Sequence, residues 1–230
     1  MNTNLTEIAF ILDRSGSMSG VIAETIDGFN RFLADQQSLP GEARISLVLF
    51  DDRYEMPVLS QPVGEVLPLN QTTYTTRGCT ALLDAIGRTI DELGSRLAAM
   101  PEAERPGKVI VAILTDGLEN ASRRFNLAGI NQRITCQREV YSWEFLFLGA
   151  NQDAIATAAR MGIDANNSAT WAADAAGSRA SHTSLSRKAR AMRKMSMGLD
   201  DEVDRMDASM SVSEILREED AKERQGDAPD

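Results

Sequence analysis

The sequence is short of histidine, cysteine and aromatic side chains: 230 residues hold one histidine, two cysteines and 5% aromatics. A serine nucleophile paired with histidine would have to rely on His182 alone, which lies far along the chain from any serine-bearing turn. Its expected place is a surface or capping position near the start of the last helix. Cys79 and Cys136 are widely separated and lack metal-ligand spacing, so both thiols are expected to be free in a cytosolic setting. No run of 18 apolar residues is present, which argues against a membrane-spanning helix. Met1–Asn4 carries no basic segment followed by a long apolar run, so no secretory signal is expected. Neither G-x-x-x-x-G-K-[ST] nor a post-strand G-x-G-x-x-G occurs, leaving ATPase and dinucleotide chemistry without their phosphate-binding loops.

Basic excess is also missing. The formal net charge is −10, and residues 199–230 hold 12 acids against four basic residues. The first 198 residues are thus near neutral, which excludes the basic face that general nucleic-acid binding needs. The expected organisation is one α/β domain over residues 1–198 and an acidic tail over 199–230 that is disordered or carries one fragile helix, for which Ser213-Glu214-Ile215-Leu216 gives the only start signal.

Within residues 5–150, strand and helix patterns alternate, the signature of a parallel sheet with crossover helices. Ile8–Leu12, Arg44–Phe50, Lys108–Leu114 and Ser142–Gly149 read as strands. Tyr54–Leu59 follows a short Asp51-Asp52-Arg53 turn and can run back as an antiparallel edge strand. Ser168–Trp171 is a short last strand. Helices are expected from Val21, after Thr80 as N-cap, over Asn126–Glu139, from Asp153 to Arg160, and over Ser184–Met197, the last ended by Gly198. Leu185, Ala189, Met192 and Met195 are expected on the inner side of the last of these. Its basic residues Arg187, Lys188, Arg190, Arg193 and Lys194 form either a solvated face or a surface onto which the acidic tail folds back.

Oxygen-bearing side chains recur where strands end. Asp13, Ser15 and Ser17 follow the first strand in D-x-S-x-S spacing, Thr80 heads a helix, and Asp116 follows the most apolar strand. All offer the oxygen ligands that hard divalent cations favour. If the first and fourth strands are neighbours where strand order reverses, Asp13 and Asp116 converge at the carboxyl edge of the sheet. Asp84 is expected to complement a helix dipole, Glu119-Asn120 to serve loop and cap chemistry, and Cys79 to be a small packed residue.

With these three pieces in this order, the chain resembles a von Willebrand factor A domain carrying a complete metal-ion-dependent adhesion site. The resemblance spans about residues 5–197 and rests on Asp13/Ser15/Ser17, on Thr80 within Arg77-Gly78-Cys79-Thr80, and on Asp116 within Leu114-Thr115-Asp116-Gly117. Cys79 stands where many relatives have a second glycine. The resemblance implies a doubly wound, Rossmann-like sandwich whose mostly parallel six-stranded sheet has order 3-2-1-4-5-6. It implies that Ser15, Ser17 and Thr80 bind Mg2+ directly, and Asp13 and Asp116 mainly through water, with Mn2+ as a possible substitute. The open position would take an Asp or Glu from a protein partner. The expected function is therefore metal-dependent protein–protein recognition by a cytoplasmic adaptor, without catalysis. The alternative is a regulatory subunit of an AAA-type ATPase or of a stress-response phosphorylation system. A metal-dependent hydrolase or phosphotransferase is a third reading, which two absent phosphate loops and a serine in place of a second aspartate at position 15 disfavour.

Overall fold

The computed structural model describes residues 1–150 and 153–226. Six strands form one sheet: β1 (Asn2–Asp13), β2 (Glu42–Phe50), β3 (Tyr54–Pro62), β4 (Pro106–Thr115), β5 (Glu144–Ala150) and β6 (Ser168–Trp171). Their order is β3-β2-β1-β4-β5-β6. Only the β2–β3 pair is antiparallel. This is the expected architecture, hairpin edge included.

The two faces of the sheet follow from alternation along its central strands. Ile8, Phe10 and Leu12 of β1 join one buried cluster, while Ala9 and Ile11 join the other. The first cluster is closed by α1 (Ile22–Ser38), α5 (Ala175–Met197) and α7 (Val212–Gly226); the second by α2 (Leu82–Ala99), α3 (Leu127–Tyr141) and α4 (Ala154–Arg160). Burial on both faces explains why β1, β4 and β5 are almost wholly apolar.

Several expectations change. The last helix of the domain begins at Ala175, nine residues before Ser184, with the Asp174 side chain accepting from the Gly177 backbone N–H. That first stretch buries Ala176, Gly177, Ser178, Ala180 and Ser181, small residues that pack closely but give no apolar stripe. Met195, expected inside, is exposed. Gly198 does end the helix, in the left-handed conformation.

The tail is not disordered over its described part. Residues 202–209 form α6 and 212–226 form α7, with Val212, Ile215 and Leu216 buried. Asp204 and Asp207 on α6 turn inward onto the basic face of α5, pairing with Arg187, Arg190 and Lys194. Arg187 also reaches Glu218 and Glu219 of α7. Acidic composition here reflects charge complementarity to α5 rather than an unstructured chain. The last four residues of the expected tail, 227–230, lie outside the described residues.

His182 is neither superficial nor a cap. It is fully buried between α1 and β1, its Nδ1 2.9 Å from the Ser178 carbonyl and its ring stacked near Phe10. Burial pushes its pKa down to about 4. Both cysteines are free, and Cys79 is exposed rather than packed. Among the described residues no helix is long and apolar enough to cross a membrane.

Candidate metal centre

Strand order reverses between β1 and β4, so the carboxyl ends of these two neighbours open onto one crevice. Asp13 is the last residue of β1 and Asp116 the first after β4. The backbone then leaves β1 through a turn in which the Ser15 N–H donates to Asp13 Oδ1 at 2.6 Å. Ser15 Oγ lies 3.1 Å from Ser17 Oγ, and Ser17 Oγ donates to Asp116 Oδ1 at 2.5 Å. Ser17 thus bridges the first loop to the third.

Thr80 completes the ring from the second loop. It was expected as a helix N-cap, but α2 starts at Leu82 with Ala81 as a cap residue lacking any side-chain bond. The helix N-terminus is capped instead from the β4–α3 loop: Glu119 accepts from the Leu83 N–H and Ser122 Oγ from the Asp84 N–H. The Thr80 hydroxyl is left facing Gly117. A methyl group at Gly117 would collide with Thr80 Oγ1 and lie 3.3 Å from Ser17 Oγ, so the two hydroxyls and the residue after Asp116 crowd one point. All five expected residues therefore come together, four of them buried and Ser17 exposed at the mouth.

Residues outside the five hold this arrangement. Thr115 Oγ1 donates to Asp13 Oδ2 at 2.5 Å, and the buried Tyr74 hydroxyl donates to the Asp13 carbonyl at 2.6 Å. Asn120 Oδ1 accepts from the Thr80 N–H, while the Thr80 carbonyl accepts from the N–H groups of Asn120 and Ala121. Asp84 stands in the first turn of α2, as expected for an acid that favours the helix dipole, and its carboxylate also accepts from the N–H groups of Arg123, Arg124 and Phe125, all at 2.9 Å. Glu119 and Asn120 do perform the loop and cap chemistry expected of them. Asp51, expected as a turn residue, does accept from the Arg53 N–H, but it is also a buried hub that binds Arg77 Nε at 2.5 Å and faces Arg14 Nε at 3.4 Å. Both arginines converge on Glu55, whose pKa their hydrogen bonds pull down to about 2.

That hub leaves the site's own acids without counter-charge. Burial pushes the Asp13 carboxyl up to about 6, against the hydrogen bonds from Thr115 and Ser15. Asp116 is also raised by burial, against the bond from Ser17. Neither has a Lys or Arg partner among the described residues, because Arg14 and Arg77 are committed to Asp51 and Glu55. Nor do three His, Cys, Asp or Glu side chains among them form a group that could hold a metal ion; the oxygen set here is two carboxylates and three hydroxyls. Buried acids lacking a cation, among neutral oxygens, fit a hard divalent ion.

No family model matches the sequence, and no curated protein matches it in sequence. Solved structures do match its fold. A von Willebrand factor type A protein from Catenulispora acidiphila superposes with TM-score 0.52 at 18% identity, over 81% of this chain and 42% of that one. The fold is that of the von Willebrand factor A domain. BatB from Bacteroides thetaiotaomicron shares the fold at 15% identity and TM-score 0.51, over 82% of this chain and 99% of its own. Proximal thread matrix protein 1 from the mussel byssus, solved with a zinc-occupied MIDAS motif, gives 17% identity and TM-score 0.50 over 83% of this chain and 45% of that one. The chain spans less than half the length of the mussel and Catenulispora proteins.

Proposed function

We propose that the chain is a cytoplasmic, metal-dependent protein-interaction module without catalysis of its own. Asp13, Ser15, Ser17, Thr80 and Asp116 would hold the ion. The observation that carries this reading is the convergence of two uncompensated buried carboxylates with three hydroxyls at the switch point of the sheet. Magnesium, or manganese in its place, would supply a hard positive charge open to one more oxygen ligand. A zinc-occupied motif in a protein of the same fold supports a divalent ion. The chain's own part is to present neutral hydroxyls toward the ion and keep the acids anchored behind them. Such a site favours an Asp or Glu side chain offered by a protein partner.

The placement of His182 supports binding rather than turnover. It stacks near Phe10, three residues before Asp13 and about 10 Å along the strand, too far to take a proton from Ser15 or Ser17.

Saturating magnesium should raise the melting temperature by roughly 5–10 °C, the size expected for about 100-fold excess over Kd in a chain of this length. The Ser15→Ala, Ser17→Ala double variant should melt at the metal-free temperature with or without magnesium. Affinity capture with wild type in magnesium should recover partners that Asp13→Ala and chelator both lose. Identical recovery in all three would refute the reading. Recovery of an AAA-type ATPase or a kinase–phosphatase pair would narrow the module to a regulatory subunit.

A further inference from the structure

Beside the metal centre lies a second recess. The β2–β3 turn, the first two turns of α2 and the β4–α3 loop enclose about 170 Å3, lined by Asp52, Arg53, Tyr54, Asp84, Arg88 and Arg124 among others. Three arginines from three separate segments line one small space. Of its two acids, Asp84 spends both oxygens on backbone N–H groups, whereas Asp52 is exposed with its Oδ1 close to Gly78. The arginines are less committed than Asp84. Arg88 Nε binds Glu92 at 2.6 Å while its guanidinium lies 4.2 Å over the Tyr54 ring, which fixes its plane. Arg53 and Arg124 form no ion pair among the described residues, and both are exposed. The recess is thus a concave, positively charged surface with uncommitted donors.

Size and charge narrow the ligand. About 170 Å3 is well below the ~300–1,000 Å3 of pockets that enclose drug-sized molecules or cofactors. It suits a single oxyanion group. A carboxylate satisfies one guanidinium fork, whereas a dianion with three equivalent oxygens matches several. We propose that this recess is an anion subsite for a phosphate monoester, bound by Arg53, Arg88 and Arg124. It uses none of the five metal-centre side chains, so it stands or falls apart from the metal reading. Its lining residue Ala81 follows Thr80 directly, which places it where a protein docked at the metal centre could present a phosphorylated serine or threonine.

Calorimetric titration of the full chain in chelator, at fixed ionic strength, tests this. O-phosphoserine should bind saturably, and at least about tenfold more tightly than acetate. The Arg53→Gln, Arg124→Gln variant should keep its melting temperature and lose at least about tenfold in phosphoserine affinity. The Ser15→Ala, Ser17→Ala variant should bind phosphoserine as wild type does. Absence of saturable binding, or equal binding by the Arg53→Gln, Arg124→Gln variant, would overturn the proposal. So would inorganic phosphate binding more tightly than O-phosphoserine, because the site would then prefer a free ion to a monoester.

Discussion

His182 illustrates what a single buried polar side chain does to stability. Its ring is completely enclosed, Nδ1 is served by the Ser178 carbonyl, and Nε2 has no partner among the described residues. A charged imidazolium there would need solvation that the apolar ring of Phe10 stacked near it cannot provide. The folded pKa of about 4 lies below the ordinary 6.5. As pH falls through 6.5 the unfolded chain takes a proton that the folded chain refuses, so stability is complete above 6.5 and is lost between 6.5 and 4. At pH 5 the loss amounts to about 2 kcal/mol, at about 1.4 kcal/mol per unit. Urea unfolding of wild type and His182→Leu at pH 7.5 and 5 isolates this contribution, since other acids titrate alike in both. Equal pH dependence in the two proteins would contradict it. The role of His182 was not legible in the sequence because the residues enclosing it, Gly28 and Phe10, lie on other elements. The convergence of the five candidate oxygens was legible because each lies in a loop that follows a strand or leads into a helix. Two of their supports were not: Tyr74 donates to the Asp13 carbonyl and Ser122 accepts from the Asp84 N–H, and backbone groups of this kind occur at every position of a sequence.

At the level of elements, α6 and α7 show how a polar segment earns a place in a fold. The acids of α6 face inward, with Asp204 and Asp207 fully buried against Arg187, Arg190 and Lys194. Lys188 is enclosed too, its Nζ donating to the carbonyls of Asp207, Ala208 and Met210 at the end of α6. Apolar Val203 and Met206 point outward instead. A reading by hydropathy takes such a helix for solvated chain, which is why the tail looked unstructured while β1 and β4, buried on both faces, were plain. Apolar anchoring comes from α7. Ile215→Ala should lower unfolding free energy by about 2–5 kcal/mol, the usual cost of truncating an enclosed isoleucine. Raising salt to 0.5 M should matter far less, because screening acts on exposed charges and these carboxylates are buried. Chemical denaturation measures both. A salt effect exceeding the Ile215→Ala effect would show that ion pairs rather than apolar contacts fasten the C-terminal helices.

Across the whole molecule, the sheet supplies a crevice, and hydrogen bonds between the β4–α3 loop and α2 tie its walls together. The reversal between β1 and β4 brings Asp13 and Asp116 to one edge, but a shared edge alone would leave Thr80 free to wander. Its position is fixed by exchange: the β4–α3 loop caps α2 through Glu119 and Ser122, and α2 caps that loop through Asp84. Removing Asp84 should therefore act at a distance. Asp84→Ala should cost about 1–3 kcal/mol of stability, since the released N–H groups of exposed Arg123 and Arg124 can turn to water. Its far-UV circular dichroism should match wild type. Magnesium affinity, read from the dependence of melting temperature on magnesium concentration, should nevertheless weaken about tenfold or more, as it does when residues that orient metal ligands are lost. A lower melting temperature with an unchanged magnesium titration would mean that Glu119 and Asn120 alone hold Thr80 against Asp116, and that the Asp84 bonds serve stability only.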